Sequence, residues 1–368
     1  MKKILYFLSF LGHKRAYESL KDIEGVEQVV LGPKPKIIDG VLEDYSGFGI
    51  SNIATYSDKK EAQRIIDNFN PDVFVRAEAL GGIIVNNRCK RVLIGHGLIG
   101  DHVADLIRNG LQFMVKGEDL YCDADGWFER NAKLIDIGSE AKFVRNALPQ
   151  LDLLSSPDYY EPNRSKLMLN SNNTSPEKVI LFCGFCCKDR SDFKDHNEDY
   201  FETIAELERI ATKNNWLIVI KPRQNFKKTM GFLDGAKGFA KYKKIYSDLA
   251  KSKQLHFINY ESNVYKYFFA DAIIINGCSS IELEACVAKK PLIIVRTKSK
   301  PDYDPFKTVT SGAAFGVKNI RDLESTIKVA LNKKSYTQKQ KDLLSARGMV
   351  VDGLAYQRVQ NAILELIR

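Results

Sequence analysis

The feature that most constrains this chain is a pattern that occurs twice. Short apolar runs, too short to be helices, alternate with stretches at helical spacing. In the first half Ile4–Phe10, Val26–Leu31, Val73–Arg76, Arg91–Ile94 and Lys133–Ile137 read as strands. A helical stretch over about Lys14–Lys21 follows the first, and Lys59–Asn68 has helical spacing and stops before Asn70-Pro71. Ser155–Lys178 then breaks the pattern: it is polar, rich in Ser and Asn, and holds three prolines, as a linker would. Beyond it the alternation restarts with strands at Val179–Phe182, Trp216–Ile220, Leu255–Ile258, Ala272–Ile275 and Pro291–Val295. Helices are expected at Tyr200–Thr212, Val264–Phe269, Ile281–Val287, around Arg321–Leu331 and over Gly353–Ile367. Apolar strands that alternate with helices predict parallel sheets covered on both faces.

The 368 residues suit two domains at roughly 100–200 residues each. The expected division is a first α/β domain over 1–154, a linker over 155–178, a second α/β domain over 179–350 and a C-terminal helix over 351–368 that returns to the first domain. In such sheets ligands bind beyond the carboxyl ends of the strands, so a cleft between two facing halves is the expected site.

With 44% hydrophobic and 27% charged residues, the composition excludes a disordered or collagen-like chain. Lys and Arg exceed Asp and Glu by 55 to 46, a net charge of +9 that suits an anionic partner. Lys221–Lys253 holds ten basic residues against Asp234 and Asp248. It reads either as a solvated face or as a contact for an anionic ligand, polymer or membrane surface. No RNP, zinc or helix-turn-helix signature accompanies it, which argues against nucleic acid. The seven cysteines lie mostly in apolar runs without regular spacing, as in a reducing, cytoplasmic compartment. Cys183, Cys186 and Cys187 lack a second ligand pair for zinc. Met1–Leu11 imitates a signal peptide, but basic His13-Lys14-Arg15 follows instead of a cleavage site, so a buried first strand is expected.

The segment richest in chemistry is Ile274–Val295, IINGCSSIELEACVAKKPLIIV. An apolar strand ends at Asn276-Gly277, a helix starts near Ser279 and Ser280, and a strand enters through Pro291. Free backbone N–H groups at such a start suit phosphate, and the serine hydroxyls add donors. Ser279-x-x-Glu282 also satisfies a capping box, which needs no ligand. Glu284 is not needed for that cap, and a carboxylate there can accept from both ribose hydroxyls. At the end of the expected strand Trp216–Ile220, Lys221 and Arg223 offer phosphate a point charge and a planar fork, or only begin the solvated basic stretch.

This strand–turn–Ser-Ser-x-x-x-Glu-Ala-x-x-x-x-Lys-Pro–strand pattern resembles the donor-binding half of GT-B glycosyltransferases. It looks most like the CDP-glycerol glycerophosphotransferase family and its capsule-polymer relatives. UDP-GlcNAc 2-epimerases share the layout, with a Glu that matches Glu284. Gly95-His96-Gly97 resembles the family's His-Gly loop, Val179–Arg190 its strand opening the second half, and Asp352-Gly353 through Arg358 its terminal helix. Here Lys221-Pro222-Arg223 stands where the family carries a His, and Gly277-Cys278 where it carries Asp-Tyr.

The resemblance implies two Rossmann-like domains facing a cleft. It implies transfer of an alditol-phosphate or sugar group from a nucleotide-activated donor, CDP-glycerol-like, to a hydroxyl of a cell-surface glycan or polymer. Gly277, Ser279, Ser280, Glu284, Lys221 and Arg223 would hold the donor, and His96 would be the base, with Asp101 and His102 as second choices. His102, and His13 with Arg15 just beyond the first strand, would face the acceptor, although a plain loop His is the better reading of His13. Arg76 is a weaker candidate for acceptor phosphate. No metal or other cofactor is demanded. Gly95–Gly100 also fits G-x-G-x-x-G, but it falls late in its half, and Asp119 follows no clear strand, so NAD is not expected. The alternatives are a UDP-GlcNAc 2-epimerase-like enzyme and a non-catalytic polyanion binder.

Overall fold

The computed structural model describes residues 1–368 apart from 39–40, 78–82, 96–98, 100–101, 109–116, 172–174, 185–193, 223–246, 250, 259–262, 278, 299–301 and 333–334. The side chains of 38, 41, 102, 105, 106, 170 and 194–197 are likewise outside the description. The chain divides into two compact units, Met1–Ser155 with Ser345–Arg368, and Ser156–Leu344.

The first unit holds β1 (Lys2–Phe7), β2 (Val26–Pro33), β3 (Lys36–Ile38), β4 (Val41–Glu43), β5 (Ile53–Tyr56), β6 (Val73–Arg76), β7 (Lys90–Ile94), β8 (Leu120–Cys122) and β9 (Lys142–Val144). Seven form one sheet in the order β5-β2-β1-β6-β7-β8-β9, and each pair is parallel. β3 and β4 make a separate antiparallel hairpin. Strands covered on both faces need no alternation, which is why Ile4–Phe7 is buried throughout. Leu5, Phe7, Val29, Leu31 and Phe74 form a core against Ala62 and Ile66 of the helix Lys59–Phe69. That helix starts where its sequence says it should. The Asp58 carboxylate accepts from the Lys60 and Glu61 amides at 2.8 and 2.9 Å, and Asn70 ends it in the left-handed region at φ 48°.

The C-terminal helix Ala355–Ile367 packs in this unit. The Asp152 carboxylate accepts from the Ala355 and Tyr356 amides at 3.2 and 2.9 Å, which satisfies two free N–H groups at the helix start. Arg358 pairs with Asp352 and donates to the Asn146 carbonyl at 3.2 Å. The Asp352-to-Arg358 motif thus fastens the chain end to its own unit.

The second unit holds β10 (Lys178–Gly184), β11 (Trp216–Pro222), β12 (Leu255–Phe257), β13 (Ala272–Asn276), β14 (Leu292–Val295) and β15 (Phe315–Val317). They form a parallel sheet in the order β12-β11-β10-β13-β14-β15. Its core joins Ile180, Phe182, Ile218 and Ile274 to Tyr200, Phe201, Ile204 and Leu207 of the helix Lys194–Asn214.

Some expectations need correction. Lys133–Ile137 is not a strand: Ile135 and Ile137 donate to the Asn131 and Ala132 carbonyls in successive turns, and the apolar Ile135 serves burial rather than pairing. The next sheet strand is β9 instead. Lys14–Lys21 is not a helix; the turn after β1 is a 3-10 helix over Leu11–Ala16. Ser155–Lys178 is helical over Pro157–Tyr160 and Asn163–Asn170, within the second unit. There Arg164 pairs with Asp271 at 3.2 Å and Tyr160 lies against Phe268.

Candidate functional site

In the second sheet, successive strands lead away from β10 on one side and from β13 on the other. The order therefore reverses between β10 and β13, and ligands of open α/β sheets bind beyond the carboxyl ends at that point. At this edge Cys183 of β10 lies in register between Lys221 of β11 and Ile275 of β13. β10 ends at Gly184, where a Cβ would fall 2.7 Å from the Phe182 ring and 2.8 Å from that of Tyr200, so the two aromatic rings require glycine. β13 ends at Asn276, and Gly277 turns the chain at φ 98°, a conformation that glycine adopts without strain.

The helix Ile281–Val287 follows that turn. Ser279 and Ser280 are half-buried before it, and Glu284 is fully buried within it. Burial pushes the Cys183 thiol up to about 12, Lys221 opposes that shift, and Glu284 adds to it. Lys221, Cys183 and Glu284 therefore share one electrostatic neighbourhood. The structure thus gathers Gly277, Ser279, Ser280, Glu284 and Lys221 on a single sheet edge. Arg223, expected beside Lys221, lies outside the described residues, as do 224–246 of the basic stretch. Near its end, Lys251 pairs with Asp248 at 3.4 Å.

The capping box does not form. Ser280 occupies the cap position without a side-chain hydrogen bond, and the Ser279 hydroxyl accepts from the Ile281 amide at 3.3 Å. Glu282 turns inward instead. It pairs with Arg296 at 3.1 Å and accepts from the Thr308 hydroxyl at 2.7 Å. Burial raises its carboxyl to about 7 against the opposing pull of Arg296. Arg296 also donates to the Gly277 carbonyl through Nε at 3.2 Å and Nη2 at 2.8 Å. Sequence reasoning missed Arg296 and Thr308. A charged residue directly after the apolar strand β14 was the available signal.

In the first unit His13 and Arg15 are half-buried on the 3-10 helix that follows β1. The His13 ring meets Phe10 edge-on at 5.3 Å. Between them Lys14 is buried and pairs with Glu43 at 3.1 Å and Glu18 at 3.4 Å, so this basic residue is structural. Gly95 follows β7 and donates to the Cys122 carbonyl at 3.1 Å. His96 and Asp101 lie outside the described residues. His102 opens the helix His102–Arg108. Arg76 is buried and paired with Glu118, which corrects its reading as an acceptor-phosphate ligand. Asp119 leads into β8 rather than following a strand, and it accepts from the Arg91 amide at 2.8 Å. Just past β8, Asp123 is buried and accepts from the Gly126 and Phe128 amides at 2.8 and 2.9 Å; burial raises it to about 6. Among the described residues no helix is long and apolar enough to cross a membrane.

No protein-family model matches the chain, and no curated protein matches it by sequence. Solved structures do match along its whole length. The wall teichoic acid polymerase TagF aligns with a TM-score of 0.60 at 12% identity, over 100% of this chain and 89% of that one. The S. aureus protein MnaA, in a co-structure with UDP, aligns at 0.59 and 15% identity, over 100% and 97%. The UDP-GlcNAc 2-epimerase of Neisseria meningitidis, bound to UDP-GlcNAc, aligns at 0.58 and 15% identity, over 99% and 100%. The chain has the GT-B fold. Its two parallel sheets are the two halves of that fold, and the β10–β13 edge lies in the second.

Proposed function

We propose that this GT-B chain is a transferase that takes a nucleotide-activated donor and passes its sugar or alditol-phosphate group to an acceptor hydroxyl. The observation that carries the reading is the β10–β13 edge, where Gly277, Ser279, Ser280, Glu284 and Lys221 converge at a strand-order reversal. The neighbours MnaA, in a co-structure with UDP, and TagF, soaked with CDPG, support a nucleotide-activated ligand. In this reading the serine hydroxyls and the Lys221 ammonium meet the donor phosphates and Glu284 meets the ribose. Arg223 adds a second cation.

His96 accepts the proton of the acceptor hydroxyl while its oxygen forms the new bond. The bond between the transferred group and the nucleotide breaks, and the leaving phosphate keeps the electron pair, stabilised by the nearby cations. His13, Arg15 and His102 belong to the acceptor side. A CDP-glycerol-like donor and a cell-surface glycan or polymer acceptor are the finer form of the proposal, and the basic stretch Lys221–Lys253 would bring the protein to an anionic membrane face.

The test is a thermal-shift panel with CDP, CMP, UDP and GDP. One nucleotide is expected to raise the melting temperature; a ligand at a hundredfold its Kd adds about 2.7 kcal/mol. Ser280→Ala and Lys221→Ala should weaken that binding, the latter about tenfold or more for a lost charged contact. No shift with any nucleotide would sink the reading, and full turnover by His96→Ala would remove that residue from the chemistry. The 2-epimerase reading is favoured by the matching folds alone. It needs acid and base carboxylates, and the two that burial raises among the described residues of the first unit, Asp123 and Asp152, are bound to backbone amides of a turn and of a helix start. Incubation with UDP-GlcNAc and no acceptor separates the two.

A further inference from the structure

Among the described residues, the local ties of the turn between Gly277 and Glu284 are the bond that the Ser279 hydroxyl accepts from the Ile281 amide and the first backbone bonds of the helix. Its serine cap makes no side-chain hydrogen bond, and the residue that a capping box would use, Glu282, faces away from the cap. A second set of ties comes from the loop after β14, 14–26 residues beyond Glu282 along the chain. Arg296 is buried there, and its guanidinium reaches three groups at once. Nε and Nη2 both donate to the Gly277 carbonyl, Nη2 also reaches the Glu282 carboxylate, and Nη1 donates to the Tyr303 carbonyl. Thr308 closes the other side of Glu282 at 2.7 Å. The loop is itself tied back, because the Lys298 amide donates to buried Asp199 at 3.0 Å, on the helix Lys194–Asn214.

A planar fork with five fixed donors can satisfy such a spread of acceptors, whereas a lysine ammonium on a flexible stem cannot. The Gly277 carbonyl and the Glu282 carboxylate bracket Ser279 and Ser280. Fixing both ends holds the amides and hydroxyls of Ser279 and Ser280 in one arrangement without touching them.

We infer that Arg296 is a positioning residue. Held by Glu282, Thr308 and the loop after β14, it sets the Gly277–Glu284 turn and so the presentation of Ser279, Ser280 and Glu284. The effect on ligand affinity rests on the reading of that turn as the donor site, whereas the effect on the turn itself does not.

The experiment compares wild type, Arg296→Lys and Thr308→Val in the full chain. Hydrogen exchange is read at the amides of 279–284, with the strand amides of β10 and β11 as the internal reference. Arg296→Lys is expected to speed exchange in the turn at least tenfold while the reference strands keep their wild-type protection. Thr308→Val, which removes a single donor, should act in the same direction by a smaller factor.

The second readout is affinity for whichever of CDP, CMP, UDP and GDP binds wild type. Arg296→Lys should weaken it about tenfold, and Ser280→Ala should cost less in the Arg296→Lys background than alone, because both act through one turn. Additive losses would mean that Arg296 contributes general stability only, and would overturn the inference. Unchanged exchange in the turn of both variants would overturn it too. If Arg296→Lys fails to fold, Thr308→Val decides. If no nucleotide binds wild type, the donor reading fails, and the exchange data still decide the role of Arg296.

Discussion

Each unit places a buried carboxylate shortly after a sheet strand, and the two are held in opposite ways. Asp123 follows β8 and is satisfied by the amides of Gly126 and Phe128, within five residues of itself. Glu282 follows β13 and is satisfied by Arg296 and Thr308, up to 26 residues away and on a loop beyond the next strand. Closing a short loop costs little chain entropy and needs no other element, so the Asp123 turn can form by itself. The Glu282 clamp requires β13, β14 and their loop all to be in place. A turn held from a distance responds to the state of the whole unit, which suits a site that must keep several groups in one geometry.

The largest expected effect tests whether the units hold themselves together separately. Phe74→Ala and Phe182→Ala each empty a fully buried site in a different core, at a cost of about 3–5 kcal/mol. Phe182→Ala should expose β10, β11 and β13 to hydrogen exchange and leave β1, β2 and β6 protected, and Phe74→Ala should do the reverse. Loss of protection in both units from either substitution would break the comparison.

The next effect is a pH dependence with Asp123→Asn as its probe. Burial raises Asp123 from 3.8 to about 6 and Glu282 from 4.5 to about 7. In both, the folded state holds the proton to higher pH than the unfolded chain does. The stabilisation linked to that proton is complete below the unfolded value and is lost as pH rises through the folded one. The first unit should therefore lose it between about 3.8 and 6, and the second between 4.5 and about 7. Asp123→Asn cannot accept both turn amides and should cost about 1–3 kcal/mol. Melting curves across the window should show the first slope reduced in this variant, with the share of Asp152, which burial also raises, left in place, and the second intact. A variant that keeps the wild-type slope would acquit Asp123.

The smallest effect concerns the chain end. Arg358→Ala removes the tie to Asp352 and Asn146 and should cost about 1 kcal/mol. The loss should appear as faster exchange of the Ala355–Ile367 amides and of their neighbours around Asn146, and the second unit should be unmoved. Faster exchange within Ser156–Leu344 would contradict the assignment of this helix to the first unit.

Much of the fold was legible where burial on both faces left a continuous apolar run. Val73–Arg76 and Ala272–Asn276 emerged within a residue of their expected bounds. The three-residue strands β8 and β15 were not legible, because Asp119 and Asp123 cut the apolar run of the first short and Gly316 interrupts the second. Lys133–Ile137 misled for the converse reason, since apolar residues in a turn can be buried without pairing. Ser155–Lys178 looked like a linker from its prolines and serines. Yet Pro157 stands at the first helical position, where its missing N–H costs nothing.

The candidate site divides along the same line. Gly277, Ser279, Ser280 and Glu284 could be picked out because they are contiguous and sit at a strand-to-helix turn. Lys221 could be attached to them because it ends a strand. Arg296, directly after β14, carried the same mark as Lys221 and was passed over, and Thr308 carried none.

The alternation along the chain determined two α/β halves, their parallel sheets and the turn after β13, because these follow from which residues within a few positions are apolar, capped or free to turn. Tertiary structure alone decided that β10 and β13 would be neighbours and that Glu282 would abandon its cap for Arg296. It also decided that Arg76 would spend its charge on Glu118. Each of these depends on burial shared by residues far apart in sequence. Desolvation sets which partner a buried charge must find, and that cost exists only once the surrounding elements have packed.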